Sequence, residues 1–279
     1  MTLVGCFVTP HPAIIVPEVG QEHISEVRST VDAMLEAGEH AAALAPETIV
    51  LLSPHASIAG YRMGISPARA YKGSLAYFRA PHVRLECEGD QVLAQAILDE
   101  ATQHGVPAVA TTSPAEVVDL DWGALVPLLY LTGAMQKPCA LVLLSFSGLS
   151  IEEHVRFGEL AGRAMCEASK RVLYVASGDL SHRLMPGAPA GFDPKGAEFD
   201  NEIVESFAAG DWDRLLGIRS SLVAAAGECG YRSLAVLSGV VAAAEAGGAA
   251  TSNRVLSYEG PFGVGYLVGE VEVSQTSQG

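Results

Sequence analysis

The stretch RVLYVASGDLSH, residues 171–182, is a β-branched, apolar run that stops at a glycine and is followed by an acid and an imidazole. Such a run with turn chemistry directly behind it reads as a strand, Arg171–Ser177, opening into a loop. Two other stretches share the layout. Leu3–Val8 leads into Thr9-Pro10-His11-Pro12, and Thr48–Ser53 leads into Pro54-His55. Further strand-like runs are Tyr61–Ile65, Ala140–Ser145, Arg254–Tyr258 and Val264–Val273. Helix-period segments alternate with them: Gln21–Leu44, Asp90–His104, Trp122–Gly133, Ser150–Ser169, Pro194–Ala208, Trp212–Leu216 and Tyr231–Ala246. Strands separated by helices imply βαβ units. The expected fold is α/β, a single doubly wound, mostly parallel central sheet flanked by helices. The last two runs, joined at Glu259–Gly263, are expected to add a β-hairpin at one edge.

No repeat, charge block or low-complexity linker divides the chain, and Pro186–Pro194 has the length of an ordinary functional loop. One domain over 1–273 with a flexible tail at 274–279 is therefore expected. Hydrophobic residues make up 49% of the chain and charged ones 18%, enough for a large core and too few charges for a disordered chain. The net charge of −15 repels phosphate backbones and anionic lipids, so neither nucleic acid nor a membrane is an expected partner. The five cysteines are spread without a CxxC pair, which argues against a disulfide framework or a zinc ribbon. The first residues read as a strand and not as a secretion signal, and no apolar run is long enough to span a bilayer. A cytoplasmic protein is expected.

In open α/β sheets, ligands gather beyond the carboxyl ends of the strands. His11, His55 and His182 all sit there, and proline precedes the first two, limiting backbone wobble. His23, His40, His104 and His154 fall within or at the ends of helical segments and His82 in a loop, where no special role is expected. His11 and His55 read as metal ligands. A third ligand is sought in Gly227-Glu228-Cys229-Gly230, where an acid and a thiol interrupt a small, apolar run. Glu228 would supply a hard oxygen suited to Fe(II) or Mn(II), Cys229 a soft sulfur suited to Zn or Cu. Glu228 is the expected ligand and Cys229 its alternative. His182, titrating near neutrality, suits acid–base work, and Asp179 could bond its imidazole or the turn backbone.

In this order these motifs resemble the class III, LigB-like extradiol ring-cleavage dioxygenases, over most of the chain. The early Pro10-His11, Ser53-Pro54-His55, Gly178–His182 and the late Glu228 carry the likeness. Leu120–Leu128 looks like the family's Asp-His-Gly…Val-Pro-Leu block, and Ser257–Tyr266 is similar to the Memo-like branch. In that branch the third ligand position is a cysteine in a Cys-Gly-Arg context, close to Cys229-Gly230-Tyr231-Arg232.

The resemblance implies Fe(II) on His11, His55 and Glu228, with His182 as acid–base residue, and a catechol- or aminophenol-type aromatic plus O2 as substrates. Trp122 stands where the family has a histidine. Its indole N–H can donate one hydrogen bond but cannot shuttle a proton, so it either positions substrate or marks a different reaction. The alternatives are a zinc-dependent hydrolase using the same pocket and a Memo-like metal-binding or redox protein without ring cleavage. A homo-oligomer is expected on symmetry grounds. A separate small subunit, as some relatives use, is the other assembly considered.

Overall fold

The computed structural model describes residues 2–57 and 59–275. In chain order it forms β1 (Leu3–Thr9), the single turn α1 (Pro17–Gly20), α2 (Arg28–Leu44), β2 (Thr48–Leu52), β3 (Met63–Ser66), β4 (Ala70–Leu75) and β5 (Ala80–Glu88). There follow α3 (Gln91–Gln103), β6 (Ala108–Ala110), β7 (Val117–Asp119), α4 (Trp122–Gly133), β8 (Ala140–Ser145), α5 (Ile151–Glu167) and β9 (Val172–Ser177). The chain continues through α6 (Lys195–Ala209), α7 (Trp212–Leu216), α8 (Ser220–Ala226), α9 (Tyr231–Ala246), β10 (Ala249–Glu259) and β11 (Tyr266–Gln275).

Eight strands build the central sheet in the order β10-β11-β1-β9-β2-β8-β3-β6. Its middle four, β1, β9, β2 and β8, are mutually parallel. The β10–β11 hairpin forms one edge, with β11 antiparallel to β1. The expected α/β architecture is thus present, and the reason is legible in the strands. Every residue of β2 and β9 is buried, as strands covered on both faces must be. Val50, Leu52, Tyr174 and Ala176 pack into one apolar layer beneath α3, α5, α6 and α9. Their neighbours Ile49, Leu51, Leu173 and Val175 point the opposite way, beneath α2 and α4.

Several details depart from expectation. Residues 70–119 contribute a second sheet, β5-β4-β7, which the sequence reading did not find and which places His82 inside a strand. The long helix expected from Gln21 begins only at Arg28. Gln21 has a positive φ of 46°, which separates α1 from 3-10 turns over Gln21–Val27. Helix α8 was also unforeseen. Strand β11 continues through Ser274 and Gln275, pairing with Ala250 and Ala249, so the expected tail starts too early. Residues 276–279 lie outside the described part of the chain.

Helices α5 and α9 make the closest helix contact. A Cβ on Gly158 would lie 2.1 Å from the Val236 carbonyl oxygen, and one on Gly239 2.1 Å from that of Val155. Glycine here serves backbone-to-backbone approach. Gly239→Ala should force the helices apart and cost about 1–3 kcal/mol, the usual penalty for overpacking. A lowered midpoint in chemical denaturation would register it, and an unchanged midpoint would mean the contact is looser than described.

Candidate metal centre

The parallel register places three loops at one edge of the sheet. Thr9 pairs with Ser177, and Leu52 with Ala176, so the chain leaves β1, β9 and β2 at nearly the same height. His11 follows β1 and is buried. Its backbone N–H donates to Asp179 Oδ1 at 3.0 Å, and its Nδ1 lies 3.0 Å from Ser177 Oγ. Ser177 gives its own proton to the Gly123 carbonyl at 2.6 Å, so towards His11 it can only accept. The network therefore assigns the proton of His11 to Nδ1 and leaves Nε2 as a bare lone pair.

That lone pair faces His55 Nε2 at 3.0 Å. His55 is itself held from behind: its backbone N–H donates to Ser53 Oγ at 3.2 Å, and its ring lies against Trp122 with centroids 4.4 Å apart. The loop before α9 brings the thiol. A Cβ on Gly178 would sit 2.2 Å from Gly230 Cα, so the two loops touch through glycine backbones. Cys229 N–H donates to the Asp179 carbonyl at 3.2 Å, and Asp179 N–H points at Cys229 Sγ at 3.3 Å. Cys229 Sγ ends 3.9 Å from His11 Nε2 and 3.8 Å from His182 Nε2. The donor atoms of His11, His55 and Cys229 lie within 4.8 Å of one another, as do those of Asp179, His182 and Cys229.

One expected donor is placed elsewhere. Glu228, the expected third ligand, turns away. Its Oε2 accepts the Tyr231 N–H at 2.5 Å, capping the first turn of α9, and it belongs to neither donor cluster. Adjacent side chains diverge, and the helix end claims the carboxylate while the thiol faces the histidines. Asp179, for which either the His182 imidazole or backbone was open as partner, takes backbone: it accepts the His11 N–H, with Oδ2 3.7 Å from His11 Nε2.

The His182 loop is secured separately. Leu180 N–H donates to the Gly265 carbonyl and Gly265 N–H to the Ser181 carbonyl, both at 2.8 Å, and Asp200 accepts from Ser181 N–H at 2.8 Å and from Tyr258 O–H at 2.7 Å. The Ser257–Tyr266 motif thus acts as a brace beneath His182. The remaining helical histidines serve local ties. His40 meets Glu270, and His154 lies between Ser147 N–H and the Ser150 carbonyl.

Burial dominates the electrostatics. It pushes His11 down to about 3, helped by neighbouring His55, so His11 stays neutral. It raises Asp179 to about 6 and lifts the Cys229 thiol far above its usual range. His182 is lowered by burial against the opposing pull of Asp179. Two imidazole nitrogens, a thiol and a carboxylate oxygen therefore converge. Donors on one tetrahedral ion, at about 2.0–2.3 Å from it, are roughly 3.3–3.6 Å apart. The spacings of 3.0 Å (His11 to His55) and 3.9 Å (Cys229 to His11) bracket that range. The donor set fits a divalent metal.

Residues 5–269 match the model of a family described as the catalytic LigB subunit of aromatic ring-opening dioxygenase. Protein CA_C1420 of Clostridium acetobutylicum is 34% identical over 277 residues, 98% of this chain but 58% of the relative, so the chain spans little more than half its length. The 3,4-dihydroxyphenylacetate 2,3-dioxygenase of Escherichia coli is 24% identical over 204 residues, 71% of this chain and 73% of that enzyme. In three dimensions the chain is similar to the uncharacterized protein JW3007 of Escherichia coli K12. The TM-score is 0.62 at 14% identity, covering 96% of this chain and 99% of the other, a likeness of fold alone.

Two measurements test the geometry. Cys229→Ala should abolish tight Co(II) uptake while Glu228→Gln leaves metal content unchanged; the reverse pattern in a metal assay would restore the carboxylate as ligand. Metal binding must also expel the thiol proton, whereas His11 has none to lose at Nε2. Affinity should consequently rise about tenfold per pH unit between roughly pH 6.5 and 8, releasing about one proton per ion. Chelator competition across that range reads the slope, and a flat profile would rule the thiol out.

Proposed function

Because the chain belongs to the family of catalytic LigB subunits of aromatic ring-opening dioxygenases, we propose that it is a metal-dependent extradiol dioxygenase opening a catechol- or aminophenol-type ring. His11, His55 and Cys229 hold the metal in this reading, and His182 is the acid–base residue. The observation that carries it is the convergence of those four side chains at the carboxyl ends of the parallel strands. The similarity to an Escherichia coli enzyme whose name specifies a dihydroxylated aromatic supports the substrate class.

When bound, Fe(II) would supply Lewis acidity and an electron path between an aromatic diol and O2. The protein's own groups do the rest. His182, lowered in pKa and so neutral at pH 7, accepts the phenolic proton at Nε2 and returns it to the product. Its Nε2 lies 3.8 Å from the Cys229 sulfur, within reach of a diol that the metal would hold. Trp122, 40% exposed and lying on His55, limits solvent on that side and offers an apolar face, but it cannot relay protons. Asp179 anchors the His11 backbone and keeps negative charge near the site.

Cys229 favours a second reading. A thiolate beside two imidazoles is softer than the two-histidine, one-carboxylate set of Fe(II) oxygenases and suits zinc or copper. With zinc, the same pocket and His182 as base would activate water in a hydrolase. With copper, a Memo-like redox role without ring cleavage would follow.

The deciding experiment loads the protein anaerobically with Fe(II), adds catechols and aminophenols, admits air, and follows O2 uptake and yellow ring-opened products. His182→Ala should keep the metal and lose about 10²–10⁴-fold in turnover. Loss of the metal with this substitution would make His182 a ligand. In the active protein, kcat/KM should fall as pH drops through the His182 pKa, which lies below 6.5, because the base is then protonated. Tight zinc with no O2 uptake would select the hydrolase.

A further inference from the structure

Behind the metal position, both imidazoles rest on one short piece of backbone. Asp121 is the N-cap of α4, its Oδ1 accepting from Ala124 N–H at 3.0 Å. The same oxygen accepts the Ser53 hydroxyl proton at 2.7 Å, which leaves Ser53 Oγ free to receive the backbone N–H of His55 at 3.2 Å. Two residues on, the Gly123 carbonyl accepts the Ser177 hydroxyl proton at 2.6 Å, which leaves Ser177 Oγ to receive the His11 ring proton at Nδ1, 3.0 Å away. Between them, Trp122 lies on the His55 ring at 4.4 Å.

The two arms are built alike. In each, a serine spends its proton on the α4 N-terminus and its lone pair on a histidine. One arm sets where the His55 backbone sits, and the other sets which nitrogen of His11 is bare. Glycine at 123 is required by this packing. A Cβ there would lie 2.7 Å from Ser53 Oγ, 2.9 Å from Asp121 Oδ1 and 2.9 Å from His55 Cδ2, cutting through the first arm and the ring it serves. Glycine in a helix is otherwise unfavourable, so close approach is its physical justification.

We infer that Asp121, Trp122 and Gly123 form one positioning element that aims both histidines at the metal through Ser53 and Ser177. The tripeptide touches neither metal nor substrate in this role. It also gives Trp122 a function that the loss of a proton-shuttling histidine does not remove: backing one face of the His55 ring. The inference rests on the proposed metal site, but not on the reaction that site performs.

The test uses Co(II) with the full chain, reading affinity by chelator competition and geometry by the thiolate-to-cobalt and ligand-field absorption bands. Ser53→Ala and Ser177→Ala should each weaken binding about 10–100-fold, the usual cost of losing a partner behind a metal ligand, and shift the bands. Asp121→Ser retains a good helix cap but is too short to reach Ser53, so it should weaken binding as Ser53→Ala does. Asp121→Asn keeps the accepting oxygen and should bind like the unaltered chain. Because Ser53 and Asp121 share one arm, Ser53→Ala/Asp121→Ser should be no weaker than either single variant. Unaltered affinity and spectra in Ser53→Ala, Ser177→Ala and Asp121→Ser would overturn the inference while leaving the metal site standing. So would Asp121→Asn failing as badly as Asp121→Ser, or affinity losses that follow only the melting temperature of the metal-free protein. Failure of the unaltered chain to bind Co(II), or binding that survives His11→Ala, would overturn the site and the inference together.

Discussion

The register between β1, β9 and β2 is the constraint on which the centre stands. Each residue of a strand advances about 3.3 Å, and His11 Nε2 lies 3.0 Å from His55 Nε2 and 3.9 Å from Cys229 Sγ. A slip of one residue in either pairing would displace a histidine by the whole width of a metal site. It would also turn the affected strand's side chains to the opposite layer, exchanging Val50 and Leu52 for Ile49 and Leu51. The apolar layers that stabilise the sheet are therefore also what hold the ligands at their height. Burial of those aliphatic side chains, about 1.5–3 kcal/mol each when complete, makes the alternative registers inaccessible.

On that platform the chain assembles groups that resist being together. Burying His11, Asp179 and Cys229 disfavours their charged forms, and two imidazole nitrogens face each other at hydrogen-bonding distance. What keeps them in place is a set of neutral hydrogen bonds behind them: Ser177 under His11, Ser53 under His55, and paired backbone contacts between Asp179 and Cys229. Such a site stores its organisation in the second layer of contacts, where water does not compete. A cation entering it would find His11 Nε2 already aimed, while the Cys229 thiol has still to give up its proton.

The exchange of Glu228 for Cys229 shows how neighbouring residues divide work. The acid has the charge that a hard metal prefers, but it also sits at the start of α9, where an unsatisfied N–H and the positive helix end attract it. The thiol instead meets the Asp179 N–H at 3.3 Å, a contact that leaves it facing the histidines. The local demand of the helix is met first, and the donor left beside the histidines is sulfur.

Much of this was readable before any coordinates. Apolar runs ending in Pro-His, Pro-His and Gly-Asp-Leu-Ser-His, separated by helical periods, determined a parallel α/β sheet with its chemistry at the strand ends, because strand periodicity and turn residues act locally. The alternation of Val83, Leu85 and Cys87 along β5 is the local signal for the second sheet. The direction in which Cys229 points, the proton on His11 and the common support under both imidazoles depend on residues 50 to 218 positions apart in the chain meeting in space, such as Cys229 with Asp179 and Cys229 with His11. Side-chain direction at a loop is set by whichever distant backbone group is nearest, and only the packed tertiary structure decides that.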